Sequence, residues 1–426
     1  MSMGIAASEL PGHGPASQGW SQGIDIANTR FAAVLLFCVT AISHYVLREP
    51  APYDLLLVAT AGTLFLLGLR IPRGLAVPAA GMILILCGYM IGGTQALYVD
   101  LSITFLQTST YLTLTFIFFA SVIAASPDRA LGALWAGYLV AAVCTAGLGI
   151  GAYLNVIPGG DILLGAGRAK ALFEDPNVYG PFLVAPVLYA FWRMSTGSMK
   201  SSLLFWGPVT VLLALGLFLS FSRGAWLHLL LSAAIFAVLA SLSPETRRQR
   251  ARIAGIAVML GVALFFAIGW AATIPEVRDL LEARLGLQSY DTREGGRFTG
   301  HANALRHALQ HPFGIGPNNW GMIAGLDTHN IYLNVFVAGG FISIAGLLTA
   351  LGATIIKGYR YALTGPRRGV FLVAYATFIG LFAESIIIDS NHWRHMYLLM
   401  GMIWGLMLAA PPVRHRAGSA HQKSRA

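Results

Sequence analysis

The sequence predicts an all-α polytopic membrane protein, with about twelve transmembrane helices and one large helical loop on the outer face. Three observations carry that prediction. The 426 residues are 56% hydrophobic and 11% charged, whereas a soluble globular chain carries roughly 25% charged residues. Such a chain cannot cover a water-exposed surface. Apolar runs long enough to cross a bilayer recur along it. Lysine and arginine concentrate in alternate segments between those runs.

Residues 1–30 are rich in Gly, Ser and Ala and lack the charged start and apolar core of a secretory signal, so they read as a flexible cytoplasmic tail. Spans are expected near 31–47, 52–69, 74–93, 103–125, 131–154, 179–194, 202–221, 224–242 and 252–274, filling 31–274. Loop 275–328 follows. Three further spans, near 329–356, 369–389 and 396–411, lead to a basic tail at 412–426. No internal repeat is legible, which disfavours an inverted-repeat transporter. Cys38, Cys87 and Cys144 each lie inside an apolar run and read as packing residues, not disulfide or zinc ligands.

Charge sets the direction. With the N-terminus in the cytoplasm, the inner segments receive 18 of the 28 Lys and Arg residues, among them Arg70, Arg73, Arg129, Arg193, Lys200, Arg367 and Arg368. The net charge of +10 is therefore mostly topological, and no nucleic-acid partner is required. The remaining cations lie on the side that topology disfavours. Arg168 and Lys170 follow the fifth span, and Arg223 sits in the tight turn "SFSRGAW". Arg278, Arg284, Arg293, Arg297 and Arg306 share loop 275–328, leaving Arg48 and Arg394 elsewhere. Cations kept there suit an anionic ligand, a phosphate or diphosphate above all, because guanidinium donates paired hydrogen bonds. For any one of them a solvated loop surface is the alternative, least so for Arg223 in its short turn.

Within the loop, "IPEVRDLLEARLGL" spaces Val277, Leu280, Leu281 and Leu285 as an apolar stripe suited to a membrane surface. A helix is expected over 300–310, ended by Pro312 and two glycines. His301 and Ala304 follow Arg297 at one-turn spacings, with Arg306 turned the other way. His307 and His311 stand four apart, but no glutamate lies between them and Pro312 breaks the helix, so no metal site is expected. "GAGRAK" and "GIGPNN" resemble pieces of phosphate loops without joining a strand to a helix. In "DTHNIYLNVFVAGG", His329 stands at the rim of a span. It can accept a proton from an attacking hydroxyl, oriented by Asp327 and Asn330, or it can simply cap the helix. Glu384 and Asp389 are rare acids within the eleventh expected span, although "DSNHWRH" also reads as an ordinary polar turn.

"FEDPNVYGPFL" (173–183), "SFSRGAWL" (220–227), Arg297 with "ALRHALQHPFGIGPNNW", and "THNIYLNVFVAGGFISIAGLL" occur in that order between spans. Together they resemble the O-antigen ligase and polymerase superfamily of bacterial surface-polysaccharide enzymes. The motifs cover roughly residues 165–350, and the span layout extends the likeness. The resemblance implies an inverting glycosyltransferase of the inner membrane whose site faces the periplasm, needing no metal or other cofactor. Its donor would be O-antigen on undecaprenyl diphosphate and its acceptor a sugar of lipid A–core. His329 would be the catalytic base, and Arg223 and Arg297 would bind the diphosphate. Arg168, Lys170 and Asn330 would add substrate contacts. The chain ends some fifteen residues after its last expected span, unlike pilin-type oligosaccharyltransferases, and its single dominant outer loop favours ligase over polymerase. A transporter, the competing class, would gather its charges at mid-membrane; here they gather on one face.

Overall fold

A computed structural model describes residues 26–242 and 296–409, with isolated positions between 251 and 282. The expected span 252–274, the apolar stripe of 274–287 and both tails lie outside the described residues. The helices are α1 (Arg30–Ala41), α2 (Pro52–Leu66), α3 (Ala76–Gly93), α4 (Val99–Ala125), α5 (Pro127–Tyr153) and α6 (Pro176–Thr196). Then come α7 (Met199–Phe218), α8 (Arg223–Ser241), α9 (Arg297–Gln310), α10 (Trp320–Ala324), α11 (Ile331–Thr364), α12 (Arg368–Glu384) and α13 (Arg394–Leu408). Among the described residues, six helices are long and apolar enough to cross a membrane: Arg73–Gly93, α4, α5, α7, α8 and α11. The chain is an all-α multi-pass membrane protein.

Element ends follow local chemistry. Asp175 caps α6 by accepting from Asn177 N at 2.6 Å, and Pro176 occupies the first turn, where a missing N–H costs nothing. The helix expected from 300 begins earlier, at Arg297. α12 stops at Glu384, so Asp389 falls in the loop before α13 and not in a helix.

Small residues let the spans approach closely. α11 lies along α3 so tightly that a β-carbon on Gly346 would stand 2.5 Å from Gly81 O, and Ser343 Oγ donates to Ile85 O at 2.8 Å. Both glycine-rich fragments prove to be folding devices. "GAGRAK" is a hairpin, β1 (Leu164–Gly165) against β2 (Arg168–Ala169), with Ala166 and Gly167 left-handed at its tip. In "GIGPNN", Ile315 N and Gly316 N donate to Val337 O and Ala338 O of α11, both at 3.0 Å. Neither is a phosphate loop.

The bundle has two unlike ends. At one, Arg367 forms a forked pair with Asp128 at 2.7 and 2.8 Å, Arg368 bonds Leu239 O, and Arg252 donates to Met194 O at 3.1 Å. At the other lie β1–β2, the 219–223 turn, α9, α10 and the start of α11.

Candidate active site

The turn between α7 and α8 is built from its serines. Phe221, fully buried, takes a left-handed φ of 46° and reverses the chain. Ser222 caps α8 by accepting from Ala225 N at 3.3 Å, which makes half-buried Arg223 the first residue of that helix. Arg168 braces the turn from outside. Its Nε donates to Ser220 O at 2.8 Å and its Nη2 to Asn177 Oδ1 at 2.7 Å, tying hairpin, turn and α6 together. Lys170 follows, half-buried.

Gly224 then packs against the end of α12. A β-carbon there would lie 2.6 Å from Glu384 Oε1. Glu384 is fully buried, and its Oε2 stands 3.1 Å from Nδ1 of equally buried His228. His228 Nε2 donates to Thr377 O at 3.0 Å, and a carbonyl can only accept, so Nε2 carries a proton.

The same helix end receives α11. Ile331 N donates to Ser385 O at 3.0 Å, Asn330 Nδ2 to Ile386 O at 2.9 Å, and Tyr332 Oη to Phe382 O at 2.9 Å. Two helix starts distant in sequence, one opened by Arg223 and one preceded by His329, therefore rest on residues 382–386. Both helices point their N-termini, the positive ends of their dipoles, toward this end of the bundle.

His329 is half-buried and left-handed, with φ 44°, in the turn before α11. A non-glycine residue rarely takes that conformation, and its neighbours hold it. Buried Thr328 donates from Oγ1 to Asn330 O at 3.2 Å, and His301 Nε2 donates to Thr328 O at 2.7 Å. Asn330 Oδ1 accepts from Tyr332 N and Leu333 N at 2.9 and 3.1 Å. Its amide is thus engaged by the cap on one side and by α12 on the other.

Position 297 opens α9 one turn before His301 on the same face; the Arg297 side chain lies outside the described residues. Arg306 is exposed and donates from Nη1 to Asn303 Oδ1 at 3.3 Å. His307 and His311 stack with ring centroids 4.0 Å apart, and His311 Nδ1 donates to His307 O at 2.9 Å. Among the described residues no three His, Cys, Asp or Glu side chains are grouped to hold a metal ion.

Two acids border the histidine turn. Asp327 is exposed and packs on Gly321. Burial, with the negative Asp327 nearby, pushes the Asp389 carboxyl up to about 6, although Asn391 N donates to its Oδ1 at 3.0 Å. Arg394, by contrast, is spent on the fold. It forks onto Asp54 at 2.7 Å through both Nε and Nη2 and reaches Glu49 Oε1 at 3.0 Å, clamping α13 to α2.

Sequence reasoning missed His228 and the bond from His301 to Thr328. A histidine inside the apolar run "AWLHLLL", five residues after Arg223, was the available signal for the first. No curated protein matches the chain. Residues 208–351, which hold Arg223, position 297 and His329, match the family model described as O-antigen ligase. That match, over about a third of the chain, supports membership of the O-antigen ligase superfamily.

Proposed function

We propose that this protein is an O-antigen ligase. It moves O-antigen polysaccharide from undecaprenyl diphosphate onto a sugar of lipid A–core, at the periplasmic face of the inner membrane. The observation that carries the reading is the convergence of the α8 and α11 starts on residues 382–386, which brings Arg223 and His329 to one end of the bundle. The orientation, twelve spans with both termini cytoplasmic, is supported by the cations at the opposite end.

In this reading Arg223 and Arg297 hold the diphosphate, and they stabilise the charge that gathers on it as it departs. His329 takes the proton of the acceptor hydroxyl. The hydroxyl oxygen bonds to the anomeric carbon on the face opposite the diphosphate, while the bond from that carbon to the phosphate oxygen breaks. Undecaprenyl diphosphate leaves and the anomeric centre inverts. The reading uses no metal and no organic cofactor. Lys170 contacts the donor or acceptor. Arg168 and Asn330 brace the two turns through Ser220 O, Asn177 Oδ1 and Ile386 O, beside the substrate.

The test is transfer of lipid-linked O-antigen to lipid A–core by purified enzyme, read by gel shift. His329→Ala should lose ~10²–10⁴-fold in rate, as expected for a general base, with melting temperature and donor binding nearly unchanged. A stable variant with near wild-type transfer would reduce His329 to a cap. Elongation of lipid-linked glycans without lipid A–core would make the enzyme a polymerase.

A further inference from the structure

We infer that a groove between α8 and α11, floored by α12, holds one phospholipid with an anionic headgroup. Its acyl chain lies in the groove and its phosphate on Arg360. The inference needs only a membrane-spanning chain and does not rest on the catalytic reading.

The groove follows from how three helices pack. α8 and α11 each rest on α12 through a glycine. A β-carbon on Gly380 of α12 would stand 2.2 Å from Ser232 Oγ of α8, and one on Gly358 of α11 would stand 2.3 Å from the Tyr375 ring of α12. Tyr375 Oη donates to Ile355 O at 2.6 Å, which fixes that ring against α11. Beside these contacts a cavity of about 570 Å³ is left. Ile235 and Val238 of α8 form one wall, Ile356 and Tyr359 of α11 the other, and Tyr375 and Ile379 of α12 the floor. Val238 and Ile356 are 58 and 62% exposed on membrane-spanning helices, so the groove opens sideways onto lipid.

Its level in the bilayer is set by the helix ends. α8 stops at Ser241 and α11 at Thr364. Arg368, the first residue of α12, bonds Leu239 O and Ala362 O there, and the rings of Tyr361 and Phe371 lie 4.5 Å apart. Leu239, Arg360 and the start of α12 therefore share this boundary. Ile379 stands eleven positions beyond Arg368 in an unbroken helix, about 16 Å at 1.5 Å per residue. That is half of a hydrocarbon core of roughly 30 Å, the depth of one leaflet. The groove thus runs from the boundary to mid-bilayer.

Charge names the headgroup. Walls and floor offer carbon, since the Tyr375 hydroxyl is already spent on Ile355 O. Arg360 stands at the mouth, exposed, with no acidic partner among the described residues. Nearby cations are engaged: Arg367 on Asp128, Arg368 on two carbonyls, and Lys357 over the Trp404 ring at 5.3 Å. A guanidinium at a membrane boundary suits a phosphate, which it can grip with paired hydrogen bonds. A headgroup of net negative charge is then favoured over a zwitterionic one. Tyr359, 47% exposed beside it, can donate to the ester oxygens below the phosphate.

Full-length protein stripped of lipid in detergent would be titrated with phosphatidylglycerol and, separately, phosphatidylcholine, with bound lipid counted by native mass spectrometry. One phosphatidylglycerol should bind several-fold more tightly than phosphatidylcholine. Arg360→Gln should bring the two to parity, whereas Lys200→Gln, which removes an exposed cation at the same end, should keep the preference. Ile356→Trp, filling the groove from its exposed wall, should weaken both. Phosphatidylglycerol with a diazirine in its acyl chain should crosslink Val238 and Ile356 more than Val211 and Leu230, exposed residues outside the groove. An unchanged preference in Arg360→Gln, or an equal loss in Lys200→Gln, would overturn the inference. So would equal crosslinking inside and outside the groove, or a dimer that Ile356→Trp dissociates, since a second copy would then cover this face. No readout depends on activity.

Discussion

Gly224→Ala tests whether α12 sets the position of Arg223. The new β-carbon would stand 2.6 Å from Glu384 Oε1, where ordinary contact begins near 3.4 Å. One side must yield by about 0.8 Å, the difference of those two distances. The carboxyl group has little room: Glu384 is fully buried, and its other oxygen is held by His228 at 3.1 Å. If it moves, the close packing around a fully buried side chain is strained, at a cost of about 1–3 kcal/mol. If instead α8 yields, the overpacking costs about as much, and Arg223 is carried out of register. A misplacement near 1 Å can cost ~10²-fold in rate. The variant should therefore melt a few degrees lower and transfer glycan ~10–100-fold more slowly. The decisive measurement is the same substitution in a Glu384→Ala background, where the clash is gone and its added cost should fall close to zero. An equal penalty in both backgrounds, or none in the wild type, would refute the coupling between α12 and Arg223.

Asp389→Asn should change how stability responds to acid. With its carboxyl near 6 in the fold and 3.8 ordinarily, the folded state binds the extra proton, so wild-type stability falls as pH rises from about 4 to 6 and is flat above. The effect is on the order of 3 kcal/mol. The variant should lose that slope in a melting series from pH 4.5 to 7.5, and an unchanged slope would place the titration elsewhere. Excess chelator should leave transfer intact; activity abolished and then restored by a divalent ion would reopen His307 and His311 as ligands. Arg297→Lys should rescue poorly compared with its effect on Arg297→Ala, since a point charge lacks the guanidinium fork. Arg306→Ala, on the exposed sector, should stay within a few-fold of wild type; a loss matching Arg297→Ala would assign it to the donor site.

The all-helical, multi-pass character was legible because bilayer-length apolar runs are properties of single segments. The motif residues were legible because polar side chains are costly at a membrane rim, so each one stands out. What each polar residue does was not legible. Asn330, Arg168 and Arg394 carry the same signal as His329 and Arg223, but the fold engages them at Ile386, Ser220 and Asp54. Partners 52 to 340 residues away decide this, and no local pattern encodes them. The break in α11 was equally hidden. Gly339–Gly340 inside "VFVAGGFIS" reads as one more close-packing pair until the amides of Ile315 and Gly316 arrive beside it.

The buried acid of α12 explains why two helix starts can share one support. A carboxylate at this depth costs several kcal/mol unless paired. Here His228, anchored by its bond to Thr377 O, stands 3.1 Å from the Glu384 carboxyl group, and both side chains are fully buried and packed in place. The α12 end is therefore a fixed point. Ser385, next in sequence, extends it by bonding Leu381 O and Ser390 Oγ, each at 2.7 Å, while its carbonyl takes Ile331 N. From there Asn391 reaches back to Asn334 of α11 at 3.1 Å. Arg223 is set by Gly224 lying on Glu384, and His329 by Asn330 and Ile331 lying on residues 385 and 386. The distance between cation and imidazole is then fixed by two adjacent peptide units and not by the long loop that separates them in sequence.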